Sequence, residues 1–77
     1  MDYEKWFNDA KNRIAMLQSG AVFEVKNLYE GTTWNKLTAG EKKSFGRYFS
    51  NQIKDGILPD VYKNGEGKTH HNKYIKR

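Results

Sequence analysis

The chain has 77 residues, no cysteine, two histidines and a formal net charge of +5. A chain of this length builds one hydrophobic core, so we expect a single domain over residues 1–77. The lack of cysteine excludes a disulfide framework and a thiolate metal site, and is typical of the reducing cytoplasm. No apolar run is long enough for a transmembrane span or a signal-peptide core. We therefore expect a cytoplasmic protein that has no membrane partner.

The excess positive charge is confined to the second half of the sequence. Residues 1–40 contain five basic and five acidic residues, whereas residues 41–77 contain nine basic and four acidic residues. This concentration indicates a partner with a polyanionic backbone. A charged segment that only keeps the protein soluble is the alternative interpretation.

The N-terminal segment, residues 1–20, predicts an amphipathic helix from about Tyr3 to Gln18. Its apolar residues recur at the i, i+3, i+4, i+7 spacing that gathers them on one face. Asp2 is the expected N-cap, and Ser19-Gly20 is the expected end of the helix. The aromatic residues of this helix are expected in the core.

A strand and a brief helix are predicted next, within residues 21–56. Residues 21–26 are rich in β-branched and aromatic residues, and from Phe23 onward apolar and polar residues alternate, which predicts a short strand with Phe23 and Val25 on one face. After a turn, Thr32 or Thr33 is expected to cap a short helix that contains Trp34. Trp34 is expected in the core, with an exposed stacking role as the alternative.

The strongest local signal is a capping box at Thr38 and Glu41, which predicts a helix running to about Lys54 with Gly56 as a left-handed cap. One side of this helix is apolar. The other side carries basic, hydroxyl and amide groups without an acid, namely Lys43, Arg47, Ser50, Asn51 and Lys54. Gly46 lies in mid-helix, where glycine is unfavourable, and we expect the close approach of another helix or backbone there.

Residues 57–77 predict a basic β-hairpin. Its strands are expected at residues 60–63 and 70–76, joined by a glycine-rich turn at residues 64–67. The candidate nucleic-acid-binding residues of this hairpin are Tyr62, Lys63, Lys68, His70, Lys73 and Tyr74. Packing of the two tyrosines onto the core is the alternative, and for Tyr74 it is slightly favoured.

The predicted order is helix, strand, short helix, capped helix and hairpin, which is an α+β fold of the winged-helix type. In that arrangement the capped helix lies along a nucleic acid, and the hairpin reaches an adjacent phosphate chain. The element order, the acid-free helix face and the confined positive charge together predict a non-catalytic nucleic-acid-binding protein.

Two sequence blocks carry a resemblance to a known family. The run from Phe23 to Leu37, with its Gly-Thr-x-Trp-Asn-x-Leu block, and the Ser-Phe-Gly-Arg-x-Phe block at residues 44–49 resemble a family of small Firmicute proteins. The resemblance covers about residues 22–77. That family is a domain of unknown function that is common on plasmids, phages and genomic islands, including staphylococcal resistance cassettes. The resemblance implies a winged-helix-like fold and, for cassette members encoded beside a replicative helicase, binding of single-stranded DNA. It implies a role in replication of a mobile genetic element, but it supplies no binding residues.

Two other functions remain open from the residues alone. Arg47, Ser50 and Asn51 are residue types that read base edges in a major groove, as a regulator of double-stranded DNA does. A small phage or mobile-element protein of this kind can instead bind and modulate a helicase, primase or nuclease.

No catalytic motif, cofactor motif or small-molecule site is recognisable. His70 and His71 would point to opposite faces of a strand, which suits neither a metal site nor an acid–base pair.

Overall fold

The computed structural model of the chain describes residues 1–64 and 73–77. Within these residues, three strands form one antiparallel sheet, in which β3 lies between β1 and β2. The fold is α+β, as predicted. The elements in chain order are α1 (Tyr3–Ala15), β1 (Val22–Phe23), a 3-10 helix (Val25–Leu28), α2 (Gly31–Asn35), α3 (Ala39–Lys54), β2 (Val61–Lys63) and β3 (Tyr74–Lys76).

One cluster of buried residues joins the helices to the sheet. It comprises Phe7, Ala10, Ile14, Phe23, Leu28, Phe45, Phe49, Val61 and Tyr74. The aromatic rings contact one another across elements, with centroids 5.7 Å apart for Phe7 and Phe49 and 5.0 Å apart for Phe49 and Tyr74. No polar or charged residue among those described is buried. Also among the described residues, no helix has the length and apolarity needed to cross a membrane.

Helix α1 begins as predicted and ends earlier. The Lys5 backbone N–H donates to the Asp2 carboxylate at 3.1 Å, which confirms the N-cap. The helix ends at Ala15 rather than near Gln18. At this end the Lys76 ammonium, from the distant strand β3, donates to the carbonyls of Ala15 at 3.1 Å and Leu17 at 2.7 Å. This contact joins residues far apart in sequence, so no local pattern could reveal it.

Strand β1 contains only Val22 and Phe23, and the predicted strand over residues 21–26 is therefore too long. The Glu24 backbone N–H donates to the Asn27 side-chain oxygen at 2.8 Å. Such a side-chain bond offers the backbone an alternative to strand pairing. It starts the 3-10 helix at Val25 and ends the strand.

Helix α2 begins at Gly31 with Glu30 as its N-cap, so the predicted cap at Thr32 or Thr33 is wrong. The Glu30 carbonyl already accepts the Trp34 N–H at 2.9 Å, which places the first helical turn before either threonine.

The predicted start and end of α3 are confirmed. The Glu41 N–H donates to the Thr38 hydroxyl at 3.1 Å, and the Thr38 N–H donates to the Glu41 carboxylate at 2.9 Å. The hydrogen bond from the Thr38 backbone holds the pKa of Glu41 below its usual value, because it stabilises the ionised form. The helix ends at Lys54, and Gly56 follows with a positive φ of 78°. The cap therefore fixes where α3 begins.

Candidate nucleic-acid interface

The predicted basic face of α3 lies on the surface of the molecule. Lys43, Arg47, Asn51 and Lys54 are exposed and Ser50 is half-buried. The opposite side of the helix contains Phe45 and Phe49, which are completely buried. Burial of these phenylalanines fixes the rotation of α3, so the five predicted polar residues face away from the core.

This face lines a concavity of about 460 Å³ between α3 and the segment that precedes it. From α3 it is lined by Lys42, Lys43, Gly46, Arg47, Ser50 and Asn51. The facing residues are Glu24, Val25, Lys26 and Trp34. Among the described residues, the lining thus contains four cationic side chains and one carboxylate. Glu24 lies 3.9 Å from the Lys26 ammonium, which offsets the one negative charge of the lining locally.

Trp34 is half-buried and supplies an aromatic ring to this concavity. Its ring stacks on Tyr29, with centroids 5.8 Å apart and planes 14° apart. Tyr29 is held in turn by its hydroxyl, which donates to the Trp6 carbonyl of α1 at 2.6 Å. Burial raises the pKa of Tyr29 well above its ordinary value, and the nearby Asp9 carboxylate adds to that rise. A neutral, hydrogen-bonded tyrosine therefore fixes the position of the indole.

Gly46 lies on the helix surface that lines the concavity. A Cβ at this position would meet no atom within 4 Å. The expected close approach of another helix or backbone to Gly46 is therefore wrong. The space beside this residue belongs to the open concavity rather than to a helix–helix contact.

A second concavity of about 340 Å³ lies between α3 and β2. Ser50 and Asn51 line both concavities, so the two adjoin along the helix. The second is lined by the basic residues Lys54 and Lys63, and none of the described residues that line it is a carboxylate. We refer to the two adjoining concavities together as the α3 groove.

The α3 groove has a persistent positive charge. None of the carboxylates in residues 1–64 and 73–77 forms an ion pair with Lys43, Arg47 or Lys54. These three side chains are also exposed. A groove lined mainly by positive charge raises the local concentration of a negatively charged ligand.

Tyr62 is among the residues that line the second concavity, beside Lys54 and Lys63. In the hairpin register Tyr62 pairs with Ile75, while Lys63 pairs with Tyr74. Successive side chains in a strand point to opposite faces, so the Tyr62 ring lies on the face away from the buried Tyr74. It is 41% exposed, and the Arg77 guanidinium lies 4.8 Å from its ring centroid. The sequence pattern gave no sign of this pairing with Arg77.

Tyr74 is not available for base stacking. It is 1% exposed and packs between Phe23 and Phe49, at centroid distances of 5.9 and 5.0 Å. Its place among the candidate binding residues is therefore wrong, and core packing, the alternative that was favoured, is correct. The reason is that β3 is the central strand of the sheet, so a side chain on its inner face is covered from both sides.

Of the remaining binding residues predicted in the hairpin, only Lys73 is among the described residues. Lys73 is exposed and lines neither concavity. The predicted Lys68 and His70, together with His71 and most of the predicted turn, lie outside the described residues. Within the described part of the chain, no group of three or more acidic, histidine or cysteine side chains could hold a metal ion.

The structure also adds residues that were not among the predicted binding residues, although an exposed stacking role for Trp34 was the alternative interpretation. Lys26 and Trp34 face α3 across the groove, and Lys42 lies on its edge. An isolated helical projection could not reveal the first two, because they belong to other elements. Lys42 was missed because it is next to Lys43 in sequence, which places it about 100° around the helix and outside the predicted stripe.

The chain belongs to the family described as Domain of unknown function (DUF1413), which it matches over residues 8–76. The match includes all of α3, its capping box and both walls of the groove. No curated protein and no solved structure matches the chain significantly.

Proposed function

We propose that this protein binds single-stranded DNA, without catalysis, along the α3 groove. The observation that carries the proposal is the placement of Lys43, Arg47 and Lys54. All three are exposed on one side of α3, beside a continuous concave surface, and no carboxylate of the described residues neutralises them. A positive track of this kind follows a phosphate backbone.

The concave shape favours a single strand over a duplex. A helix that reads double-stranded DNA projects into the major groove. Here the polar face of α3 is flanked by Trp34 on one side and by β2 on the other, and so lines a groove. A single strand fits into a groove, and an aromatic ring within it offers a surface for an unstacked base.

The topology supports a winged-helix arrangement for this function. Helices α2 and α3 follow one another closely, and β2 and β3 form a hairpin directly after α3. In a winged helix the second of the paired helices and the hairpin together contact nucleic acid. Lys63, at the end of β2, belongs to that hairpin and continues the basic lining of α3 onto it.

The biological setting we propose is replication of a mobile genetic element in the cytoplasm, with a replicative helicase as a protein partner. Its basis is the family resemblance together with a charge distribution suited to a displaced single strand. Exposed Arg47 and Asn51, one helical turn apart, also favour a second candidate function, which is base reading by a regulator of double-stranded DNA.

The deciding experiment compares oligo-dT with a duplex of matched length by fluorescence anisotropy over a series of salt concentrations. If about five phosphates of a single strand are contacted, affinity for oligo-dT should fall about 100-fold between 50 and 200 mM salt. Tighter binding of the duplex would favour the regulator of double-stranded DNA. Undetectable or salt-independent binding of both would overturn nucleic-acid binding and favour a function that acts through a protein partner.

A further inference from the structure

The α3 groove contains a feature that phosphate binding alone does not require. Gly46 lies in the middle of a 16-residue helix, where glycine costs about 1 kcal/mol relative to alanine. A Cβ would meet nothing within 4 Å, so packing inside the protein does not demand glycine here. The bare helix surface at Gly46 instead leaves space in the first concavity for an external group.

The chemistry around this space has three parts. Trp34 supplies an aromatic ring, and Ser50 and Asn51 supply a hydroxyl and an amide. Lys43 and Arg47 supply positive charge on the same helix face. A nucleotide presents three matching groups, namely a flat ring that stacks, a base edge that forms hydrogen bonds, and a phosphate.

We propose that the first concavity is a pocket for one unstacked base of single-stranded DNA. Trp34 lies on one side of this pocket, and the bare helix surface at Gly46 of α3 lies on the other. The base edge meets Ser50 and Asn51, and the adjoining phosphate lies near Lys43 or Arg47. The cavity of about 460 Å³ is within the range of small-ligand sites in proteins. This inference rests on the proposed function, because it specifies how the same groove receives a strand.

Filling the space at Gly46 tests the pocket without removing any charge. The Gly46→Leu variant should weaken oligo-dT binding by about 5- to 160-fold, the range expected for losing one stacked base. Its salt dependence should equal that of the wild type, because every cation is retained. Its melting temperature should not fall, because leucine favours the helix more than glycine does. Gly46→Ala, a smaller change, should weaken binding less and in the same direction.

Ser44→Leu is the matched control. Ser44 lies on the same helix, is exposed and lines neither concavity. The Ser44→Leu variant carries the same new side chain outside the proposed pocket, so the affinity of this variant for oligo-dT should remain that of the wild type. Equal affinities for the Gly46→Leu and Ser44→Leu variants would overturn the base pocket.

An abasic oligonucleotide separates failure of the pocket from failure of the proposed function. It keeps the phosphates of oligo-dT and lacks the bases. Weaker binding of the abasic strand by the wild type, with the preference lost in Gly46→Leu, supports the pocket. Equal, salt-dependent binding of both strands overturns the pocket and leaves phosphate binding intact. Absence of binding to either strand overturns both proposals.

Discussion

The two sides of α3 obey different constraints. The inner side contains Phe45 and Phe49, both completely buried, and joins α1 to the sheet through ring contacts. The outer side carries Lys43 and Arg47, which are exposed and have no ion-pair partner in residues 1–64 and 73–77. The comparison indicates that Lys43 and Arg47 form no ion pair on which the described part of the fold depends. Changes on the inner side should therefore alter stability, whereas changes on the outer side should alter binding.

The largest effect on stability is expected from Phe49→Ala. Truncating a buried phenylalanine costs about 3–5 kcal/mol, and a domain of this size has a net stability of about the same magnitude. The variant should be largely unfolded at 25 °C, as measured by circular dichroism and urea titration. A cooperative transition near that of the wild type would show that the inner side of α3 does not hold the core together.

A smaller loss of stability is expected from Lys76→Met. This variant tests whether every cation of the C-terminal half belongs to the binding surface. The Lys76 ammonium is bound to the carbonyls of Ala15 and Leu17, so we assign it to the fold. Methionine retains the apolar stem and removes those bonds, which should lower the free energy of unfolding by about 1.5 kcal/mol. Oligonucleotide binding by the folded variant should be unchanged. Weaker binding with unchanged stability would place Lys76 on the binding surface instead.

Tyr29→Phe should cost about 1 kcal/mol, because it removes the hydrogen bond to the Trp6 carbonyl. It should also change the alkaline stability profile. Since burial raises the pKa of Tyr29 in the folded state, its contribution is complete below the ordinary value of 10.0 and is lost as pH rises above it. Urea titrations between neutral and alkaline pH should show a smaller loss of stability for the variant. Parallel profiles for both proteins would contradict this assignment.

The smallest effect on stability, and a clear effect on binding, is expected from the double variant Lys43→Ala/Arg47→Ala. Its free energy of unfolding should remain within about 0.5 kcal/mol of the wild type, because both side chains are exposed. The slope of log affinity against log salt should fall by about 1.4, the value for two phosphate contacts on a single strand. Lys5→Ala is the matched control, since Lys5 is exposed on α1 and lines neither concavity. An equal change of slope in the control would show that the charge of the whole molecule matters rather than the groove.

Features that depend on neighbouring residues could be predicted from the sequence. The capping box of α3 was identified because Thr38 and Glu41 satisfy each other's backbone N–H groups within one helical turn. The exposed outer face followed from helical periodicity, since Phe45 and Phe49 fix the rotation. The length of β1 was overestimated, because a single hydrogen bond to the Asn27 side chain outweighed an alternating pattern.

Features that depend on how elements pack could not be predicted in this way. Gly46 was expected to allow a close contact, and it opens onto a cavity instead. Trp34 was expected in the core, whereas it is half-buried and lines the groove because Tyr29 holds its ring there. Tyr74 was placed at the interface, and its position in the central strand buries it. Each difference arises from how elements pack against one another, which the local sequence pattern does not specify.

The central position of β3 in the sheet affects the order in which elements can form during synthesis of the protein. Strands β1 and β2 are joined in the sheet only through β3, which is formed by Tyr74–Lys76. While a ribosome is still making this segment, the emerging chain holds the residues of every helix but has no sheet. The ammonium that holds the end of α1, and the tyrosine that lies beneath both concavities, arrive with the same three residues. The residues of β3 follow those of every described helix, so the sheet and the floor of the groove depend on the same segment.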